Sequence, residues 1–383
     1  MNFDLSDEQR MLKDSVDRLI AEQYDFESRK AYAAQPEGWS RVQWARLAEI
    51  GLLALPFDEE DGGFGGGAVE TMLVMESFGR GLVLEPYLST VVLCGNLVRL
   101  GGTPAQRAEL IPSISDGSLL MAFAHGEAQA RFDLANVATS ARKDGEQWVL
   151  DGAKRYVLHG DSADKLIVSA RIGSNSCDHD GIALFVVDAG DAGVARRGYT
   201  MQNGWRAADI QLSQVRVPAA ALLGTAGEAL PLIERTVDLA LAAICTEAVG
   251  TMDKATEITV EYLKVRKQFG VTIGSFQALQ HRAVDMLVAV EQARSMALFA
   301  TMVAGESDGE ERSKSISAAK VQVGKSAKFV GTQGVQLHGG IGVTEECSIS
   351  HYYRHLTVLE ILFGDTNHHL AALARAGGLL PAT

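Results

Sequence analysis

Three apolar stripes in the last third of the chain narrow the fold more than any other feature. Val237, Leu241, Ile244, Ala248, Met252 and Ala255 follow one another at intervals of three or four residues. Leu279, Ala283, Met286, Val290, Ala293, Ala297 and Ala300 repeat the spacing, and Ile316, Ala319, Val323, Ala327 and Val330 continue it. An α-helix turns once in about 3.6 residues, so each set lines one helical face. Such faces must be buried against each other, which predicts an antiparallel four-helix bundle. Its last member is a helical region starting at residue 351, broken at 363–365 and resuming through 376. The charged run G-E-S-D-G-E-E-R at 305–312 reads as a solvated turn between the second and third helices.

Upstream, the periodicity changes twice. Residues 1–118 read as helical. Ser6 and Gln9 have capping-box spacing, and Leu12, Val16, Leu19 and Ile20 share a face. A helix over 41–50 ends before Gly51, and another over 106–111 gives way to a loop at 112–117. Five glycines at 62–67 look like a phosphate loop, but Asp58, Glu59, Glu60 and Asp61 precede them and no Lys follows at the required spacing. A flexible turn is the better reading. From 119 to 223, short β-rich runs appear at 119–125, 137–141, 147–150, 165–170, 182–187 and 210–217. Turn pairs such as Asp144-Gly145 and Asp180-Gly181 separate them. The expected class is α+β multidomain: an N-terminal helical domain (1–118), a central antiparallel β domain (119–225) and a C-terminal four-helix bundle (226–383).

Composition excludes several functions. A net charge of −13 and a pI near 5.2 argue against binding nucleic acid or an anionic membrane. Cys94, Cys177, Cys245 and Cys347 are scattered without a C-x-x-C pair, so no metal or disulfide framework is expected. No signal-peptide pattern opens the chain, and no apolar run has the length of a membrane span. A soluble cytoplasmic protein is expected.

Residues 266–286 concentrate the chemistry. Arg266 supplies a planar cation suited to phosphate oxygens. Gln268, Gln277 and Gln280 donate and accept, Phe269 offers an apolar face, and Gly270 and Gly274 allow close backbone approach. From these residues alone, a dinucleotide clamp and an ordinary helix–helix turn both remain open. Elsewhere, His351 and His355 lie four apart but lack a third metal ligand, and the adjacent His368 and His369 point in different directions from a helix. No G-x-S-x-G elbow is present.

The helical–β–helical order, together with R-K-Q-F-G at 266–270, F-Q-A-L-Q-H at 276–281 and Q-L-H-G-G-I-G at 336–342, resembles the acyl-CoA dehydrogenase family over essentially the whole chain. Segments 158–171 and 355–370 look most like the small subunit of pimeloyl-CoA dehydrogenase-type two-component enzymes. The resemblance implies α,β-dehydrogenation of an acyl-CoA thioester by FAD, with electron-transferring flavoprotein as acceptor. It also implies that FAD lies at a subunit interface. One subunit holds the isoalloxazine and its neighbour clamps the pyrophosphate and adenosine. Arg266, Gln268, Phe269, Phe276, Gln277, Gln336, Gly339 and Gly340 match the clamp, and Thr366 and Asn367 join the implied cofactor set.

The catalytic base departs from the family pattern. Of the two family positions for the glutamate, one reads Gly364 and the other Ala240, and the arginine beside the second reads Leu241. Asp365 is the nearest carboxylate to the first and either serves as a displaced base or caps the following helix. Asp238 lies near the second but points off its face. The flavin bed also differs. A-H-G-E-A-Q-A-R at 124–131 stands where the family has Thr-Glu-Pro and Gly-Ser-Asp, and Tyr156-Val157-Leu158 replaces Trp-Ile-Thr. His125 there is either a new acid–base group or a satisfied core histidine. The implied protein is a clamp-donating subunit whose paralogous large subunit supplies the glutamate. The alternatives are a homomeric enzyme using Asp365 and a scaffold without cofactor.

Overall fold

The computed structural model describes residues 5–173 and 175–377. The chain opens with α1 (Asp7–Gln23), where Ser6 and Gln9 close the capping box in both directions at 3.0 and 3.1 Å. Next come α2 (Phe26–Ala33), α3 (Arg41–Glu49) and α4 (Ala68–Gly81). A buried π-helical stretch, Leu88–Gly95, runs into α5 (Asn96–Gly101), and α6 (Pro104–Ser115) follows. The loop expected from Pro112 is instead the last turn of α6. A proline lacks only its own N–H, and Asp116 N still donates to Pro112 O at 3.0 Å, so the turn closes. The glycine-rich stretch packs on its own backbone: a Cβ at Gly63 would lie 2.1 Å from Phe57 O.

The sheet contains β1 (Met121–Ala124), β2 (Ser140–Asp144), β3 (Gln147–Leu158), β4 (Lys165–Arg171), β5 (Ile182–Asp188), β6 (Val194–Thr200), β7 (Arg206–Pro218) and β8 (Leu222–Leu223). Its order is β6-β7-β3-β2-β4-β5-β8, with β1 also paired to β4. The sheet is mixed rather than purely antiparallel, because β1 and β2 both run parallel to β4. β6 has no counterpart in the sequence reading. Its residues V-A-R-R-G-Y-T are mostly exposed, so no apolar alternation marks them. Leu150, Leu166, Val168, Phe185, Ile210 and Val215 form the core on one side of the sheet.

The bundle consists of α7 (Leu230–Val265), α8 (Gln277–Val303), α9 (Gly309–His338), α10 (Ser348–Ile361) and α11 (Thr366–Arg375). Between α7 and α8 lies a short hairpin of β9 (Lys267–Gln268) and β10 (Val271–Thr272). The stripes of α7 and α9 are buried, and so is the α8 stripe from Met286 to Ala300. Each fully buried Val, Leu or Ile contributes about 1.5–3 kcal/mol. α4 and α7 cross at two glycines. A Cβ at Gly79 would sit 2.0 Å from Glu247 O, and one at Gly250 would sit 1.9 Å from Glu76 O.

The chain divides into two compact units. A helical unit holds Met1–Ala31, Gly67–Val83 and Leu241–Thr383, and a sheet-containing unit holds Tyr32–Gly66 and Leu84–Ala240. Residues 1–118 therefore contribute to both.

Candidate functional site

At the end of α7 the chain leaves the helix and turns sharply. Arg266 N still donates to Tyr262 O at 2.9 Å. β9 and β10 are then joined by Phe269 and Gly270, both in the left-handed region with φ of 54° and 82°. Two positive φ values suit the twist of a two-residue hairpin. Glycine takes that conformation readily, whereas phenylalanine does so at a cost. Phe269 is also 91 % exposed, so a large apolar ring is held out in water. It meets Phe276 edge to face, with centroids 6.2 Å apart. Phe276 sits at the N-cap of α8 and Gln277 is that helix's first, exposed residue. The Arg266 guanidinium is exposed and makes no hydrogen bond or ion pair among the described residues. Among the described residues, Gln268 Nε2 donates only to the adjacent Lys267 O, at 2.7 Å. Gly274 has a packing reason, since a Cβ there would lie 2.7 Å from Leu263 O.

The second glycine loop follows α9. Gly339 caps the helix with φ of 67°, and a Cβ at Gly339 or Gly340 would meet nothing within 4 Å. Internal packing therefore does not require Gly340, and both backbones lie bare. The His338 ring stacks on Tyr262 at 4.4 Å, and Tyr262 OH donates to His338 O at 3.4 Å. Tyr262, Val265, His338 and Ile341 line one cleft of about 410 Å³. The fold thus brings the end of α7 and the loop after α9 to the same end of the helical unit. An exposed guanidinium, exposed amides, bare glycine backbone and projecting phenyl rings fit the pyrophosphate and adenosine half of FAD.

Thr366 and Asn367 lie elsewhere. Thr366 N and Oγ1 both donate to Glu360 Oε1, at 2.9 and 2.8 Å. Thr366 Oγ1 faces α9 at Gly324, 2.6 Å from where a Cβ would be. Gln336 is twelve residues further along α9, about 18 Å at 1.5 Å per residue. Within one chain, then, Thr366 is not joined to the Arg266 end.

Neither base position carries a proton acceptor. Ala240 and Leu241 are buried in α7. Gly364 lies in the turn between α10 and α11 with φ of 120°. Asp365 is the N-cap of α11, and its Oδ1 accepts from His368 N at 2.8 Å. A helix N-terminus favours a carboxylate. Beneath this turn, the buried Lys320 ammonium donates to the carbonyls of Leu359, Glu360, Leu362 and Gly364 at 2.7, 3.0, 3.1 and 3.3 Å. Burial lowers its pKa to about 8, against the raising effect of Cys245, Glu360 and Asp365. Lys320 escaped the sequence reading, although a lone lysine inside the α9 stripe is a usable signal.

In the sheet, β3 bulges at Arg155 and Tyr156, where the register with β7 shifts. Tyr156 takes φ of 55° and is 74 % exposed, while Val157 and Leu158 turn inward. His125 belongs to a buried polar network. Its Nδ1 meets Ser169 Oγ at 2.9 Å, and Lys154 Nζ donates to Ser169 Oγ at 3.0 Å and Glu127 Oε1 at 2.7 Å. Glu127 also accepts from Ala138 N and Thr139 N. Burial and then the Lys154 charge bring His125 down to about 3. Burial pushes the Glu127 carboxyl up, but Lys154 outweighs it and holds it at about 2. This network pins residues 125–139 to the sheet.

His351 and His355 are packing groups. His355 Nε2 lies 2.9 Å from Glu247 Oε1 in the helical core, and His351 Nε2 lies 3.1 Å from Glu345 O. Among the described residues no three His, Cys, Asp or Glu converge as metal ligands, and the four cysteines are free thiols.

Comparison with known proteins covers nearly the full length. Family models described as the N-terminal, middle and C-terminal domains of acyl-CoA dehydrogenase match residues 6–118, 122–215 and 227–378. A probable acyl-CoA dehydrogenase, YngJ of Bacillus subtilis, is 29 % identical over 98 % of this chain and 99 % of its own. A solved structure described as the electron transferring flavoprotein of Acidaminococcus fermentans superposes with a TM-score of 0.90 at 27 % identity, covering 98 % of this chain and 99 % of its own. A chain of the ChsE4–ChsE5 complex from Mycobacterium tuberculosis superposes with a TM-score of 0.88 at 25 % identity, over 100 % of both chains.

Proposed function

We propose that this chain, which belongs to the acyl-CoA dehydrogenase family of FAD-dependent oxidoreductases, serves as the clamp-donating member of a hetero-oligomer. The family's reaction is dehydrogenation of an acyl-CoA thioester, and FAD, when bound, supplies the hydride acceptor. In this reading Arg266 grips the pyrophosphate. The Gln268 and Gln336 amides and the Gly339 and Gly340 backbone complete the grip, and Phe269, Phe276 and Gln277 border the adenosine. A paralogous large subunit supplies the glutamate that takes the α-proton, and electron-transferring flavoprotein carries the electrons away. The cytoplasm is the proposed location.

The observation that carries this reading is an asymmetry. Both family positions for the base, Ala240 and Gly364, lack a carboxylate, while the Arg266 guanidinium stands exposed and unspent. The outer face of α8 supports a subunit contact: Val284, Leu287, Val288 and Phe299 are 57, 50, 50 and 41 % exposed. α8 is apolar enough to meet the length and composition of a membrane span, but its other face packs in the bundle. An apolar face of this kind marks a surface meant for another chain. The two-protein ChsE4–ChsE5 assembly is consistent with this. The homomeric alternative needs Asp365 to give up its capping bond at α11.

The test is expression of the chain alone and together with its candidate paralogue, followed by flavin absorbance and acyl-CoA oxidation. The reading expects colour and activity from the pair. A yellow, fully active homo-oligomer of this chain alone refutes it, and a colourless pair supports the scaffold alternative.

A further inference from the structure

We propose that His369 and Lys320 are positioning residues that hold the 362–366 turn shut against any side chain at position 364. The empty base position is then a built feature rather than a single missing carboxylate. Its meaning for catalysis rests on the clamp-donating reading, while the closure rests on distances alone.

A Cβ placed on Gly364 would lie 2.6 Å from His368 Cδ2, 2.7 Å from His369 Nε2 and 3.1 Å from His369 Cδ2. Carbon atoms in contact stay about 3.5–4.0 Å apart, so neither ring tolerates one there. The two imidazoles meet edge to face at 5.1 Å and 88°. His369 is only 4 % exposed and cannot swing into water. Its Nδ1 is engaged with Ser317 Oγ of α9 at 3.1 Å. Its Nε2 is buried and faces the Gly364 Cα, and the Phe363 backbone carbonyl also interacts with the ring. The backbone adds a second restriction, since φ of 120° at Gly364 is open to glycine alone.

Lys320 secures the opposite side of the turn. Its four carbonyl acceptors include Gly364 O itself and the last carbonyls of α10, which have no helical donor. The carbonyl side is thus fixed by an ammonium and the Cα side by an imidazole. A side chain grafted at 364 has no room unless the His368 and His369 rings give way.

The first measurement is a double-mutant cycle on the full chain, comparing wild type, Gly364→Ala, His369→Ala and the double variant by thermal unfolding. The backbone cost of alanine is common to both arms and cancels. Gly364→Ala should lower the melting temperature by several degrees in the wild-type background and by clearly less beside His369→Ala. Strictly additive shifts overturn the closure. The second measurement adds His369→Gln, which restores a side chain of similar reach beside Gly364. The Gly364→Ala penalty that His369→Ala relieves should return in the glutamine background. A glutamine background that behaves like the alanine one also overturns the closure. If this chain by itself proves yellow and active, the clamp-donating reading fails while the thermal cycle still stands or falls separately.

Discussion

Replacing Arg266 with alanine isolates the clamp from the fold. The guanidinium is exposed and makes no hydrogen bond or ion pair among the described residues. Its loss should therefore change the stability of the cofactor-free chain by no more than about 0.5 kcal/mol, as for an ordinary surface position. Bound to a pyrophosphate, the same group makes charge-assisted hydrogen bonds worth about 1.5–3 kcal/mol. At 1.4 kcal/mol per factor of ten, FAD should bind roughly 10- to 150-fold more weakly. Arg266→Lys should lie between, because an ammonium keeps the charge and loses the two-pronged geometry. The assay is equilibrium dialysis of FAD against the assembled protein, paired with thermal unfolding of the cofactor-free form. An FAD affinity unchanged within twofold refutes the clamp. A large fall in cofactor-free stability refutes the premise that Arg266 has no structural task.

Three further outcomes follow from particular distances and charges. Gly250→Ala forces a Cβ to within 1.9 Å of Glu76 O, so α4 and α7 must part, at a cost of roughly 1–3 kcal/mol or more by denaturant unfolding; Gly340→Ala, in open space, should leave stability unchanged. His125, His159 and His369 are each brought down to about 3, chiefly by burial. Their folded pKa lies below the unfolded value, so the unfolded chain binds protons more tightly and stability is lost as pH falls below 6.5 toward 3. At pH 5 each accounts for about 2 kcal/mol of that loss, and His159→Gln should flatten the slope of urea midpoint against pH between 6.5 and 5; an unchanged slope contradicts the burial. Asp365→Asn keeps a capping side chain, so stability should shift by less than about 0.5 kcal/mol and the assembled enzyme should keep its activity. Loss of activity with stability intact would point to Asp365 as a displaced base.

The helices were legible because their signal is local and repeated. The α9 stripe from Ile316 to Val330 needs no partner to be read, and Ser6 with Gln9 announces the start of α1 by itself. Strand β6 was illegible for the opposite reason. Most of its residues are exposed, and only pairing with β7 defines it as a strand. The parallel placement of β1 on β4 is likewise a fact of topology, invisible in four apolar residues, M-A-F-A. Among the candidate site residues, Arg266, Gly339 and Gly340 were legible because a motif names them. Lys320 and His369 were not, because their roles come from carbonyls 39 to 44 positions away and a glycine 5 positions away in sequence, respectively.

The two halves of the site stand apart on one helix, and that separation explains how one could empty while the other persisted. Lys320 and Gln336 are both on α9, sixteen residues apart, about 24 Å along the axis. At one end, Lys320 and Ser317 organise the turn that carries Gly364 and His369. At the other, His338 at the end of α9 stacks on Tyr262 and shares a cleft with the residue that precedes Arg266. Substitutions more than about 10 Å apart with no shared partner act independently. Loss of a carboxylate at 364 therefore places no constraint on Arg266, and filling that volume with His369 removes nothing from the glycine loop. A homomeric enzyme needs both ends to work in every chain. In a two-component enzyme each end is needed in only one of the two subunits, and on the proposed reading this chain keeps the gripping end.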